Sequence, residues 1–328
     1  MNAWTPPKLR SDSNAEIRDE LLPRISVVIP WIGREKYIGA TVAALRSQDY
    51  PNLEIVVSDN SLSPAARELL GAMGDSGIRV IDRSERRLSS ADHFTACIRD
   101  ATGEYVMILS DDDLIEPTYV SGMYDAIRSH PISSVVLGEQ IVIGENDVLI
   151  PSDSGANVVE HYHGARFFLS RLVNPRKLPI VTYVSLFARR SDLLMCPYRD
   201  YPDGSNSDNY MMLCLALRGD VTISAKKMYY RVYESSSGLK TPFSKLMESC
   251  TQFERDVAML LRTHRSTLSP GFRLMFRLLI RARNGSMMTR RLFSLYRRRM
   301  SRGELFVSSC HLALYMFGVG AGTHSAME

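Results

Sequence analysis

Cysteine is scarce in this chain of 328 residues: Cys97, Cys196, Cys214, Cys250 and Cys310 are odd in number, widely spaced and free of any Cys-x-x-Cys pair. Neither a disulfide framework nor a zinc site is written in that pattern, and a reducing cytoplasm suits it best. Residues 1–23 lack an apolar run and carry Asp12, Glu16, Asp19 and Glu20. They read as a polar leader, neither a signal peptide nor a membrane span. The segment Pro30-Trp-Ile-Gly-Arg34 lacks Gly-x-Gly-x-x-Gly and Gly-Lys-Ser/Thr, which argues against a dinucleotide fold and a P-loop. Internal repeats and low-complexity tracts are absent too. What remains is 45% hydrophobic and 23% charged residues, the balance of a soluble chain with a sizeable core. Its length suits one large α/β domain with an appendage, or two ordinary domains.

Charge is distributed unevenly. Residues 1–239 hold 25 Lys+Arg against 31 Asp+Glu, net −6, whereas residues 240–328 hold 15 against 5, net +10. A basic tail on an acidic body implies an acidic partner for the tail.

Periodicity gives the architecture. Ile25-Ser-Val-Val-Ile-Pro30 is a β-branched run that reads as a buried strand closed by proline. Ile38, Val42 and Leu45 then fall on one helical face that ends at Gln48-Asp-Tyr-Pro51. Leu53–Val57, Ile78–Ile81 and Tyr105–Leu109 predict three further strands, with helices opening at Ser63-Pro64 and spanning Phe94–Ala101. Four strand-helix units in 130 residues predict a mostly parallel sheet flanked by helices. Beyond Pro131, strands are expected over Val135–Ile143, Val181–Ala188 and Met228–Tyr233, and helices over His161–Val173 and Asp208–Leu217. Helices dominate from Lys240, so the expected organisation is a leader (1–23), a catalytic domain (24–238) and a helical basic tail (239–328), with the boundary at Gly238–Pro242.

Open parallel sheets bind ligands beyond the carboxyl ends of their strands. The second strand ends in Ser58-Asp-Asn-Ser61, a turn that either caps the next helix or faces a ligand. The fourth ends in Ser110-Asp-Asp-Asp113. Three adjacent carboxylates repel, and a divalent cation, magnesium or manganese, relieves that most simply. A cation so held, with open positions, suits a diphosphate. The competing reading is a solvated acidic turn capping the helix that begins near Pro117.

Taken together, Ile25–Pro30, Glu54-Ile-Val-Val-Ser-Asp-Asn-Ser61 and Ala101-Thr-Gly-Glu-Tyr-Val-Met-Ile-Leu-Ser-Asp-Asp-Asp113 with Pro117 resemble glycosyltransferase family 2. The resemblance extends over about residues 24–240 and implies a GT-A fold, a nucleotide-sugar donor, a divalent metal and inversion at the anomeric carbon. By the same resemblance, Asp59 contacts the nucleotide base and Pro30 lines that pocket. Asp111 and Asp112 match the Asp-x-Asp region, with Asp112 the metal ligand, Asp113 a possible sharer of the coordination, and Ser110 where the family often has Asp. Arg87 or Arg86 would meet the diphosphate, while His93 and Thr95 replace an asparagine common on the third helix. Ser207-Asp-Asn-Tyr-Met-Met-Leu213 is similar to the family's Glu-Asp pair opening a helix, which makes Asp208 the general base. Asp203 is the spare candidate, and Asp208 as a plain N-cap is the other reading. Tyr233 stands where relatives frequently carry a histidine. The donor implied is UDP-linked and the acceptor a glycan or lipid-linked saccharide.

In the tail, Phe272, Met275, Phe276, Leu279 and Ile280 share one helical face, while Arg273, Arg277 and Arg281 run down another. Such a helix either lies on an anionic membrane surface or packs against protein with solvated arginines. Arg290-Arg291 and Arg297-Arg-Arg299 would add attraction. Leu305–Gly322 carries no Asp, Glu, Lys or Arg but includes Ser308, Ser309, His311 and three glycines, so it suits an interface better than a membrane span. The expected protein is a metal-dependent inverting glycosyltransferase, peripheral on the cytoplasmic face of the cell membrane, with no nucleic-acid partner. The alternatives are a nucleotidyltransferase, for which no triphosphate cradle is written, and a degenerate, non-catalytic glycan-binding or scaffold protein.

Overall fold

Ile25–Trp31 forms β1, buried along its whole length because both faces of the strand carry apolar side chains into a core. In the computed structural model the described residues are 22–74, 77–83, 85–150, 159–173, 182–204, 206–233, 242–297 and Leu312. After β1 come α1 (Glu35–Arg46), β2 (Leu53–Asp59), α2 (Pro64–Gly74), β3 (Ile78–Asp82), α3 (Ser90–Asp100) and β4 (Tyr105–Ile108). The second half contains β5 (Leu114–Ile115), α4 (Tyr119–Ser129), β6 (Ser133–Ile143), β7 (Glu160–Tyr162) and α5 (Gly164–Val173). A single 3₁₀ turn, Tyr183–Ser185, leads into β8 (Leu186–Arg189) and α6 (Arg190–Met195). Last come α7 (Ser207–Ala216), β9 (Asp220–Arg231), α8 (Phe243–Thr263) and α9 (Pro270–Arg297).

The sheet runs in the order β3-β2-β1-β4-β8-β6-β9-β5, with β7 also paired to β9. Its first four strands are parallel, as the repeated strand-helix pattern predicts. Beyond β4 it is mixed: β8 runs antiparallel to both β4 and β6, β6 runs parallel to β9, and β5 and β7 run antiparallel to β9. Pro30 does not close β1, which continues to Trp31. The Val28 carbonyl accepts from Leu109, so Pro30, two residues on, points its nitrogen to the same side. Pairing with β4 has ended there at Val28, and no ladder bond is lost.

Three other expectations shift. The strand expected over Val181–Ala188 is a 3₁₀ turn followed by β8, and the helix expected from His161 begins only at Gly164, after β7. The last strand starts at Asp220, well before Met228. The boundary at Gly238–Pro242 lies outside the described residues up to Pro242, as do residues 1–21 of the leader and, apart from Leu312, the segment Leu305–Gly322.

Two cores cover the two faces of the sheet. One gathers Val27, Ile29, Ile38, Val42, Leu45 and Met123, which places α1 and α4 on that face. The other gathers Val28, Val106, Ile98, Phe167, Leu213 and, from the tail helices, Phe253, Val257, Leu261, Phe276 and Ile280. Helices α8 and α9 therefore share the main core. Helix α7 is buried on every side from Tyr210 to Ala216, which is why its sequence is apolar all round.

Candidate active site

Because β1, β2 and β4 are adjacent and parallel, their carboxyl ends open onto one edge of the sheet. After β4 the chain turns through Ser110-Asp-Asp-Asp113 with Asp111 and Asp113 wholly buried and Asp112 nearly so. The turn is clamped from α1, where Thr41 Oγ1 lies 3.1 Å from the Asp111 carbonyl and 2.9 Å from that of Asp113. It is clamped again from β9, where the Arg231 N–H donates to Asp113 Oδ1 at 2.8 Å. The Arg231 Nε donates to the Asp112 carbonyl at 2.9 Å. Burial pushes the Asp111 carboxyl up to about 6 against the opposing pull of Arg34, and burial, then the neighbouring Asp112 charge, drives Asp113 well above its ordinary value.

Arg34 supplies the counter-charge. Its Nη1 donates to Asp112 Oδ2 at 2.5 Å and its Nη2 to Asp111 Oδ1. Burial would lower the guanidinium pKa, but the two carboxylates outweigh it and raise it. Gly33 makes this approach possible: its φ of +99° is the left-handed backbone that glycine alone adopts easily, and an added Cβ would lie 3.2 Å from Ser61 Cβ. The Tyr233 hydroxyl donates to the same Asp112 oxygen. Arg34, Ser110, Asp112, Tyr183, Tyr230 and Tyr233 line one open pocket.

At the end of β2, Asp59 is buried and its Oδ1 accepts the Ser61 N–H at 2.8 Å, so it closes an Asx turn facing the same edge as Pro30, two residues before Ile32. Asn60 pins the β3–α3 loop by a paired contact, Nδ2 to the Leu88 carbonyl at 3.1 Å and the Leu88 N–H to Oδ1 at 2.8 Å. Arg86 and Arg87 are exposed on that loop and outside the residues lining the pocket. His93 faces inward from α3, its Nε2 3.0 Å from Ser58 Oγ, to which Arg83 Nε donates at 2.8 Å. Burial, then the Arg83 charge, lowers His93 to about 4, so it is neutral at pH 7.

Across the pocket, α7 opens at Asn206, which occupies the N-cap position with no side-chain cap bond, and Asp208 is the second helical residue rather than the cap. The Tyr198 hydroxyl donates to Asp208 Oδ1 at 3.4 Å. Tyr198 stacks on Phe94 with ring centres 4.4 Å apart and meets Tyr183 edge-on at 6.0 Å. The Tyr183 and Ser110 hydroxyls are 3.0 Å apart. Burial, and more weakly the Asp208 charge, raises the pKa of both Tyr183 and Tyr198. Asp208 and the acidic turn are thus joined through Tyr198, Tyr183 and Ser110. Asp203 lies in the preceding loop, its N–H bound to Ser249 Oγ of α8 at 2.9 Å.

The structure gathers Asp111, Asp112 and Asp113 on one turn and sets Asp208 across an aromatic wall from them. Asp113 points into the fold toward Arg231 and does not line the pocket. Arg34, Tyr183 and Tyr198 escape a sequence reading, whereas Tyr230 lies in the strand expected over Met228–Tyr233 and lines the pocket. Arg34 alone had a signal, a lone cation directly after a glycine at the end of the first strand.

The sheet order and its flanking helices are those of a GT-A-type α/β fold. The chain matches glycosyl transferase family 2 over residues 26–193 and belongs to that family. It is 29% identical over 125 residues to the glycosyltransferase GlyG of Streptococcus pneumoniae serotype 4, covering 38% of this chain and 41% of that protein. Over 94 residues it is 26% identical to the GalNAc(5)-diNAcBac-PP-undecaprenol beta-1,3-glucosyltransferase of Campylobacter jejuni, 28% of this chain and 30% of that one. The chain thus spans less than half the length of these curated relatives. In fold it resembles residues 1–349 of S. aureus TarS, with a TM-score of 0.64 at 15% identity over 89% of this chain and 81% of that one. The complex of the same TarS fragment with UDP-GlcNAc aligns at a TM-score of 0.55 and 15% identity, covering 91% of this chain and 93% of that one.

Proposed function

We propose that this protein transfers a sugar from a nucleotide-diphosphate donor to a hydroxyl of a glycan or lipid-linked saccharide, with inversion at the anomeric carbon. The observation that carries it is the acidic turn, which lines a pocket at the carboxyl edge of the sheet with Ser110 and Asp112 and is joined to Asp208 through Tyr183 and Tyr198. UDP-GlcNAc in the TarS complex and the undecaprenol-linked acceptor named for the Campylobacter enzyme support the choice of donor and acceptor classes. Asp59 and Pro30, at adjacent strand ends, hold the nucleotide. Arg87 approaches the diphosphate from its exposed loop. Asp208 accepts the proton of the acceptor hydroxyl, which becomes the nucleophile; a single displacement needs no covalent enzyme intermediate.

Among the described residues, no group of three or more His, Cys, Asp or Glu side chains is arranged to hold a metal. Asp111 and Asp112 nevertheless already flank a cation, the Arg34 guanidinium, and Asp111 Oδ2 is buried without a hydrogen-bond partner. Two hard oxygen donors suit magnesium or manganese, whose other ligands come from phosphate and water. Bound there, the ion would neutralise charge developing on the leaving diphosphate.

Among the described residues no helix is long and apolar enough to cross a membrane. On α9, Phe276 and Ile280 enter the core while Leu274, Met275, Leu278 and Phe293 face solvent beside Arg277 and Arg290. This exposed apolar and cationic row supports docking on an anionic membrane surface, the inner face of the cell membrane. The deciding experiment is donor hydrolysis and transfer with a panel of nucleotide sugars, with and without manganese. Turnover of one donor supports the reading, and binding without turnover favours the non-catalytic glycan-binding or scaffold alternative.

A further inference from the structure

The acidic turn is neutralised by the chain itself. Arg34 does not grip one carboxylate side-on; its two Nη atoms divide between Asp112 Oδ2 and Asp111 Oδ1, so the guanidinium bridges two side chains as a bound cation would. The two carboxylates are rooted, their side chains 0% and 5% exposed, whereas that of Arg34 is 38% exposed and lines the pocket. The movable member of the cluster is therefore the arginine, on a turn that only Gly33 allows. A divalent ion between the same two carboxylates would stand within a few ångströms of the guanidinium in a partly buried pocket, and repulsion between the two cations makes them compete for that space.

We infer that Arg34 is a resident counter-cation of the metal seat: it fills the space between Asp111 and Asp112 in the donor-free protein and has to leave before a divalent ion binds there. A donor diphosphate offers the released guanidinium new anionic oxygen partners within the same pocket. Metal and nucleotide binding are then positively coupled, and metal alone binds weakly. Coupling of this kind is typically ~5- to 150-fold. The inference rests on the metal seat of the proposed function and deepens it by assigning a control on access to that seat.

The test is manganese titration of the full chain, followed by the electron paramagnetic resonance of free manganese, with and without UDP, and needs no catalytic turnover. For native protein UDP should tighten manganese binding. Arg34→Gln should bind manganese alone about tenfold more tightly than native and should lose most of the tightening by UDP. Arg34→Lys, which keeps the charge but not the fork, should fall between them. Asp112→Asn should lose manganese binding in every background. Equal affinity of native, Arg34→Gln and Arg34→Lys protein, with Asp112→Asn still deficient, would overturn the role of Arg34 while leaving the metal seat standing. Absence of manganese binding by native and Arg34→Gln protein, even with UDP, would overturn both.

Discussion

Arg283 of α9 donates to the Asn206 side chain at 3.1 Å, one residue before the helix that presents Asp208. The same guanidinium reaches Asn284 Oδ1 at 3.0 Å and lies over the Phe253 ring. Burial lowers its pKa, and its Nη1 donates to two side-chain amide oxygens, those of Asn206 and Asn284. Arg283 is in this way a positioning residue for the start of α7. Arg283→Met should lower kcat about tenfold or more while donor KM stays near native, because the contact orients Asp208 and touches no nucleotide. Arg283→Lys should recover part of kcat; steady-state kinetics with donor and acceptor varied separately would decide it.

The tail helices are expected to be required for folding. Phe253, Val257, Leu261, Phe276 and Ile280 belong to the main core, and Asp256 of α8 binds both Arg199 at 2.8 Å and Tyr201 at 3.0 Å. Phe253→Ala should cost about 3–5 kcal/mol of stability, measurable by denaturant titration. Deletion of residues 242–328 should give insoluble protein rather than a soluble donor hydrolase.

Donor binding and chemistry should separate cleanly between strand ends. Asp59→Ala removes the Asx turn and should weaken nucleotide binding in calorimetry. Asp208→Asn should leave nucleotide affinity near native and lower kcat by about 100-fold or more. Asp112→Asn should abolish metal-dependent turnover with little loss of stability. Full transfer by Asp208→Asn would move the base elsewhere, with Asp203 next in line.

His93 gives a pH dependence of known sign. Its folded-state pKa is lowered from 6.5 to about 4 by burial and Arg83, so the unfolded chain binds a proton that the native protein refuses. Stability is therefore fully present above pH 6.5 and should fall as pH drops from 6.5 toward 4. His93→Asn should flatten that part of the stability-pH curve in chemical denaturation at fixed ionic strength.

Membrane docking should depend on both parts of the exposed row on α9. Full-length protein should sediment with anionic vesicles and much less with neutral ones, and each Arg at the surface should contribute about 1 kcal/mol that salt screens. Leu274→Ser with Leu278→Ser should weaken binding at all salt concentrations, since neither side chain enters the core. Equal sedimentation with neutral and anionic vesicles would reject the electrostatic part.

The four parallel strands were legible because β1, β2 and β4 are almost wholly buried apolar runs, and β1, β2 and β3 are each followed by a helix of distinct period, signals that are local in sequence. The acidic turn was legible for the same reason: Ser110 to Asp113 are consecutive, and an apolar strand places them at its end. Other features were decided only by tertiary structure. Nothing local marks the antiparallel insertion of β8 between β4 and β6, since strand direction depends on how the chain returns to the sheet. Nor does sequence order bring Arg34 to Asp111 and Asp112, Tyr233 to Asp112, or Arg283 to Asn206, pairs separated by 77, 78, 121 and 77 positions. The apolar stripe of α9 left a membrane surface and a protein surface equally open, and only the packing around Phe276 and Ile280 chose the main core of the sheet for it and left Leu274 and Leu278 in water. Residue type and spacing thus determined the strands and the acidic chemistry; the counter-charges and the covering surfaces followed from which strand ends and helix faces the folded chain brings within a few ångströms.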